Sequence, residues 1–175
     1  MADKEFDSVL KDVRACTICA GDLPLGPRPV VRMAPTSRVL IIGQAPGIHE
    51  AEVQKPFGWT AGKTLFSWFH EIGMDEKTFR ERVFMVSTCR CFPGKQVDKQ
   101  GKIGGDRVPS KTEISQCSPW LQREVELLKP SLVILIGKLA ISRFLEIDRL
   151  ADVVGRKHRL SLKESETDLV PLPHP

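Results

Sequence analysis

Apolar residues recur along the chain in two periods. Phe6, Val9, Leu10 and Val13 fall three and four residues apart, the pattern of one face of a short amphipathic helix. Val39 to Ile42 is an unbroken apolar run that leads into Gly43-Gln44-Ala45-Pro46-Gly47, which predicts a buried strand ending in a glycine loop. Leu65, Phe66, Phe69 and Ile72 then mark one face of a helix ended by Gly73. Val83 to Thr88 and Leu132 to Ile136 are further strand runs, the second stopped by Gly137. Ser110 and Glu113 form a capping box, so a helix starts there with Ile114, Cys117, Leu121, Val125 and Leu128 facing inward. Pro119 either kinks that helix or restarts it with Ser118 as cap. Leu169 to Leu172 predicts a last strand, and Pro171 predicts an edge position because proline cannot donate to a central ladder. Lys95 to Pro109 is polar and glycine-rich and reads as a mobile surface loop. Strands alternating with helices predict a parallel α/β architecture.

Composition narrows this only slightly. A chain of 175 residues, 41% of them hydrophobic, suits one domain spanning 1–175. The net charge of +4 suits a polyanionic partner without identifying one. No apolar run reaches the length of a membrane span and residues 1–20 lack a signal-peptide core, so a cytoplasmic protein with no membrane partner is expected. Five cysteines in a reducing compartment then point to metal ligation rather than disulfides. Cys16 and Cys19 form a C-x-x-C pair, Cys91 follows a strand and Cys117 sits on the next helix. Four thiolates from distant segments can enclose a zinc ion or a [4Fe-4S] cluster, and spacing does not choose between them. Cys89 rivals Cys91, since two-residue spacing on a strand points both to one side.

Two other motifs carry less. Ala61-Gly62-Lys63-Thr64 ends like a phosphate-binding loop, but Phe57 stands where its first glycine belongs, so the plain reading is the opening of a helix. The Gly43 to Gly47 loop can offer free backbone N–H groups to a ligand, yet a structural turn would read the same way.

Taken together, the C-x-x-C at Cys16 and Cys19, the strand and loop Val39 to Gly47, Lys55-Pro56-Phe57 with Ala61-Gly62, Cys91 with Pro93, Cys117 with Pro119 and Leu121, Leu128-Lys129-Pro130 and the closing His174-Pro175 resemble the iron-sulfur uracil-DNA glycosylases, family 4 of the uracil-DNA glycosylase superfamily. The resemblance implies a three-layer αβα sandwich around a four-stranded parallel sheet. It implies a [4Fe-4S] cluster on Cys16, Cys19, Cys91 and Cys117, with zinc as the alternative, and a monomer acting on DNA that contains uracil or other deaminated bases. It further implies that Gly43, Ala45, Gly47, Phe57 and Ser87 bind substrate, with Phe57 stacking on the base. His174 matches the motif histidine that stabilises the departing base, and the attacking water is positioned from the Gly43 to Gly47 loop.

The chain also departs from the family pattern. Gln44 stands where the family has glutamate, and an amide orients water without serving as a base. Gln44 therefore joins His174 in the catalytic set, and Glu50 and Glu52 are either replacement carboxylates or solvated surface acids, with Glu52 as the catalytic candidate. Ser87 replaces a base-reading asparagine, and its rotating hydroxyl predicts looser base selection, extending to deaminated purines. Lys95, Lys99, Lys102 and Arg107, in a stretch longer than the family's, are candidate DNA contacts or a solvated charged loop. The family's segment after His-Pro is missing here, which predicts either a shortened chain or a preference for single-stranded substrate. The expected activity is monofunctional hydrolysis leaving an abasic site. The rival readings are a non-catalytic cluster-bearing DNA-binding module and a zinc-stabilised nucleotide-binding protein.

Overall fold

The computed structural model describes residues 2–32, 34, 36–162 and 165–175; Met33 and Pro35 of the proline-rich connector lie outside the described residues. In chain order the elements are α1 (Ala2–Arg14), β1 (Val39–Gly43), α2 (Ile48–Val53), α3 (Thr60–His70), α4 (Glu76–Arg82), β2 (Val83–Ser87), β3 (Lys95–Val97) and β4 (Ile103–Asp106). After these come α5 (Lys111–Leu128), β5 (Leu132–Ile136), α6 (Gly137–Ser142), a 3-10 turn (Leu150–Asp152), β6 (His158–Leu162) and β7 (Ser165–Leu172).

The central sheet has five strands in the order β2-β1-β5-β7-β6. The expected four parallel strands are β2, β1, β5 and β7, but the sheet is mixed, because β6 adds to β7 in antiparallel register. Continuous apolar runs in β1, β2 and β5 reflect burial on both faces. Leu40, Ile42, Val86 and Leu135 point to a core shared with Phe6, Val9 and Val13 of α1 and Leu121 and Val125 of α5. Ile41, Met85, Ile134 and Ile136 point to the other core, which Leu65, Phe66 and Phe79 of α3 and α4 close. Strand alternation thus sorts one apolar run into two cores. Among the described residues no helix is long and apolar enough to cross a membrane.

Several local expectations need correction. Pro171 does not mark an edge strand, since β7 runs between β5 and β6. The proline is tolerated because β6 pairs only as far as Leu169, and the Pro171 carbonyl turns away from β5 to accept from Gly155 at 3.3 Å. Pro119 does not restart the helix with Ser118 as cap; α5 runs from Lys111 to Leu128 with Pro119 inside it, and the Ser118 hydroxyl donates to the Ile114 carbonyl at 2.7 Å. Ile72 lies past the end of α3 and is exposed, leaving Leu65 and Phe66 as the buried face. Lys95 to Pro109 is no structureless loop. It contains the β3–β4 hairpin, in which Asp98 accepts from the backbone of Gln100 and Lys102 and Lys95 pairs with Asp106.

The turn before α3 is the most tightly packed of the connections. Gly62 opens the helix against the backbone of Phe57, so close that a Cβ there would lie 1.8 Å from the Phe57 carbonyl oxygen. Gly62→Ala is therefore expected to lower unfolding free energy by about 1–3 kcal/mol, as overpacking does, measured by urea denaturation.

Candidate functional site

Two adjacent sites lie where the sheet's loops gather. In the first, Cys16 and Cys19 follow α1, Cys89 and Cys91 follow β2, and Cys117 comes from α5; all five line one cavity together with Arg90. All five are free thiols. Burial pushes the Cys91 thiol up to about 12, with Cys117, Cys16 and Cys19 adding repulsion against ionisation. Burial also raises Cys19, next to Cys117 and Cys16, and its thiol donates to the Gln116 side chain at 3.1 Å. Cys89 instead donates to Cys117, which keeps Cys89 protonated and brings Cys117 down to about 6. Cys19, Cys89 and Cys91 resist ionising where they stand, and a positive centre in the cavity would stabilise their charged forms. Among the described residues no group of three or more such side chains is placed to hold a single metal ion.

Charged residues brace this cavity. Arg90, between Cys89 and Cys91, is buried and ion-paired with the buried Glu124 of α5. Its backbone also donates toward Cys117. Arg107 grips Glu113 with two bonds of 2.8 and 2.7 Å, and Glu113 also completes the predicted capping box with Ser110. The Arg107 hydrogen bond is the main reason the Glu113 carboxyl is held down at about 2.

The second site is a pocket lined by Gly43, Gln44, Ala45, Glu50, Phe57, Ser87 and His174, among others. Gly43, Ser87 and His174 come from the carboxyl ends of β1, β2 and β7, where ligands of parallel sheets bind. Gly43 is paired with Ser87 across the ladder, and a Cβ on Gly43 would sit 3.4 Å from the tip of the Phe57 ring and 3.5 Å from the Ser87 hydroxyl. The bare glycine therefore leaves the floor of the pocket open. Gly137, at φ 79°, lets His174 pack within 3.6 Å of where a Cβ would stand.

Two of the expected residues lie elsewhere. Gly47 does not line the pocket; it caps α2. Glu52 also lies outside, half exposed and paired with His49 at 3.3 Å, because it falls on the solvent side of α2. Glu50 is the acid that faces in. Burial raises its pKa, partly offset by bonds from the backbone N–H groups of Gly47, Phe57 and Gly58. Its place was legible in the Gly47 to Glu50 spacing, which is that of a helix cap and the acid three residues on that bonds back to it. Arg80 and Arg90 had no comparable signal, since isolated arginines read as surface charge.

The family model for the uracil DNA glycosylase superfamily matches residues 31–175. Among curated proteins, the type-4 uracil-DNA glycosylase of Sulfurisphaera tokodaii is 29% identical over 147 residues, covering 81% of this chain and 60% of the relative. That of Pyrobaculum aerophilum is 27% identical over 142 residues, covering 78% and 65%. A type-5 uracil-DNA glycosylase of the same organism is 26% identical over 122 residues, covering 63% and 49%. The chain thus spans less than two thirds of the length of these relatives.

The Arg107–Glu113 pair makes stability depend on pH with a defined sign. The folded pKa of Glu113 lies below the ordinary glutamate value of 4.5, so its contribution is present above that value and is lost as pH falls toward about 2. Thermal midpoints measured across this range should fall less steeply in Glu113→Gln than in the parent protein.

Proposed function

We propose that this chain, which belongs to the uracil DNA glycosylase superfamily, hydrolyses the N-glycosidic bond of uracil in DNA and leaves an abasic site. The observation that carries the reading is the meeting of Phe57, Ser87, Gln44 and His174 in one pocket at the strand ends. The type-4 and type-5 names of the relatives point the same way.

Hydrolysis of this bond requires the nucleotide to leave the stack and enter a pocket. The Phe57 ring offers a stacking face there, and Ser87 presents a hydroxyl to the base edge. Cleavage places negative charge on the departing base, so a donor near its carbonyl oxygen lowers the barrier. His174, which lines the pocket, is the residue assigned as that donor. Gln44 orients the attacking water through its amide and, lacking a titrating proton, does not deprotonate it. Glu50 stands in the pocket where Glu52 does not, and its bonds to Gly47, Phe57 and Gly58 hold together the two loops that carry this chemistry.

We assign Cys16, Cys19, Cys91 and Cys117 as ligands of a [4Fe-4S] cluster. Such a cluster binds one thiolate per iron and, when bound, contributes structure by cross-linking distant segments. The donor set suits it: all four line one cavity, and Cys91 stands beside Cys16, Cys19 and Cys117. Protein purified without oxygen should be brown and contain iron. Cys91→Ser should lose the colour and most of the iron by metal analysis, and Cys89→Ser should keep both; the reverse pattern would reassign the ligand.

Uracil-containing oligonucleotides, single-stranded and duplex, should yield alkali-labile abasic sites. His174→Ala should reduce the rate about 10²–10³-fold, the scale of one lost transition-state donor. Hypoxanthine in place of uracil should also be released, through the rotating Ser87 hydroxyl. Tight, salt-sensitive binding without any product would instead favour a non-catalytic DNA-binding module.

A further inference from the structure

Phe57 adopts φ 51°, the left-handed region that side chains other than glycine seldom occupy. The conformation matters because the ring at the end of this side chain reaches Gly43 inside the pocket. The residue bonded to the peptides on both sides of Phe57 lies outside the pocket. Arg80, on α4, is buried, and every nitrogen of its guanidinium is engaged. Nη1 donates to the Pro56 carbonyl at 2.8 Å, Nη2 to the Phe57 carbonyl at 2.9 Å, and Nε to Glu76 at 2.7 Å. The cation also lies over the Phe66 ring at 4.5 Å.

Those two carbonyls belong to the peptide planes on either side of the Phe57 Cα. Because each plane is rigid, fixing both carbonyl directions fixes φ and ψ of the residue between them. A planar fork can do this with one side chain, and a lysine, which is a point charge, cannot. Gly62 closes the turn from the far side by admitting the Phe57 carbonyl where any Cβ would collide. The Arg80 carbonyl accepts from Arg32 at 2.8 Å, which ties the clamp to the segment bridged to β2.

We propose that Arg80 is a positioning residue that holds Phe57 in its left-handed conformation and thereby keeps the stacking ring in the base-receiving pocket. The inference rests on the glycosylase reading for its catalytic consequence, and on geometry alone for its structural one.

A double-mutant cycle tests it. Arg80→Ala and Phe57→Ala should each lower kcat/KM for uracil release by about tenfold or more, the scale of a misplaced contact. If Arg80 acts through Phe57, adding Arg80→Ala to Phe57→Ala should cost no more than about twofold further. Equal losses in both backgrounds would mean a general structural role and overturn the proposal. The second readout needs no turnover: the Gly43 amide resonance, shifted by the ring current of Phe57, should move in Arg80→Ala toward its position in Phe57→Ala. An unmoved resonance overturns the clamp. Arg80→Lys, which keeps the charge and loses the fork, provides the same comparison should the alanine variant not fold. Absence of base release by the parent protein would sink the glycosylase reading, while the Gly43 resonance would still decide the role of Arg80.

Discussion

The two sites are one unit because the loops after β1 and β2 are sewn together by main-chain hydrogen bonds. The Gly43 carbonyl accepts from both the amide of Thr88 at 2.8 Å and its hydroxyl at 3.1 Å, and the Gln44 carbonyl accepts from Cys89 at 3.1 Å. Parallel strands end with these groups unpaired, so the stitching satisfies buried polar atoms that would otherwise cost about 1–3 kcal/mol each. It also sets geometry. A displacement of the segment carrying Cys89 and Cys91 is passed to Gln44 through the Cys89 amide, so the proposed cofactor, held by Cys91, would also steady the pocket floor.

The same constraint governs the buried charges. Arg80, Arg90, Glu113 and Glu124 are all buried, a condition that charged groups tolerate only when paired. Each bonds to a second element, Arg80 through backbone carbonyls while its ion pair with Glu76 stays within α4. Arg90 and Glu124 join the cysteine segment to α5, Arg107 and Glu113 join the hairpin's end to the start of α5, and Arg80 joins α4 to the Phe57 turn. Replacing one partner would leave the other charge stranded, which costs more than the pair itself contributes. Such braces are better suited to fixing positions than to adding stability.

What the sequence disclosed depends on how local its signals are. The runs in β1, β2 and β5 and the Ser110–Glu113 box were readable because period and capping depend on neighbouring residues alone. The short helices α2 and α4 carry only their caps, at Gly47 with Glu50 and at Asp75, and like the strand β6 they are too brief or too polar to display a period. Pro171 misled because β7 lies between β5 and β6 as a strand yet pairs with β5 alone at its carboxyl end, a distinction that depends on where β6 stops. In the pocket, Gly43, Gln44, Phe57, Ser87 and His174 were found by motif, and they do meet. Choosing between Glu50 and Glu52 required knowing which way a six-residue helix faces, and Arg80 announces itself only through carbonyls 23 and 24 residues away.

The position of Glu50 bears on how the proposed reaction divides its labour. A carboxylate that accepts from three backbone amides has its lone pairs committed to holding loops, which lowers its basicity even as burial raises it. Gln44 supplies no base at all. With no base at position 44, rate enhancement in the proposed reaction rests on stabilising the departing base and on holding water and sugar in line. Water attacking a carbon that is already cationic needs orientation more than deprotonation, so an amide at position 44 is compatible with turnover. On this account the rigidity supplied by Arg80, the Gly43–Thr88 stitching and the cysteine cavity would support the proposed catalysis, because orientation is worth only as much as the structure that maintains it.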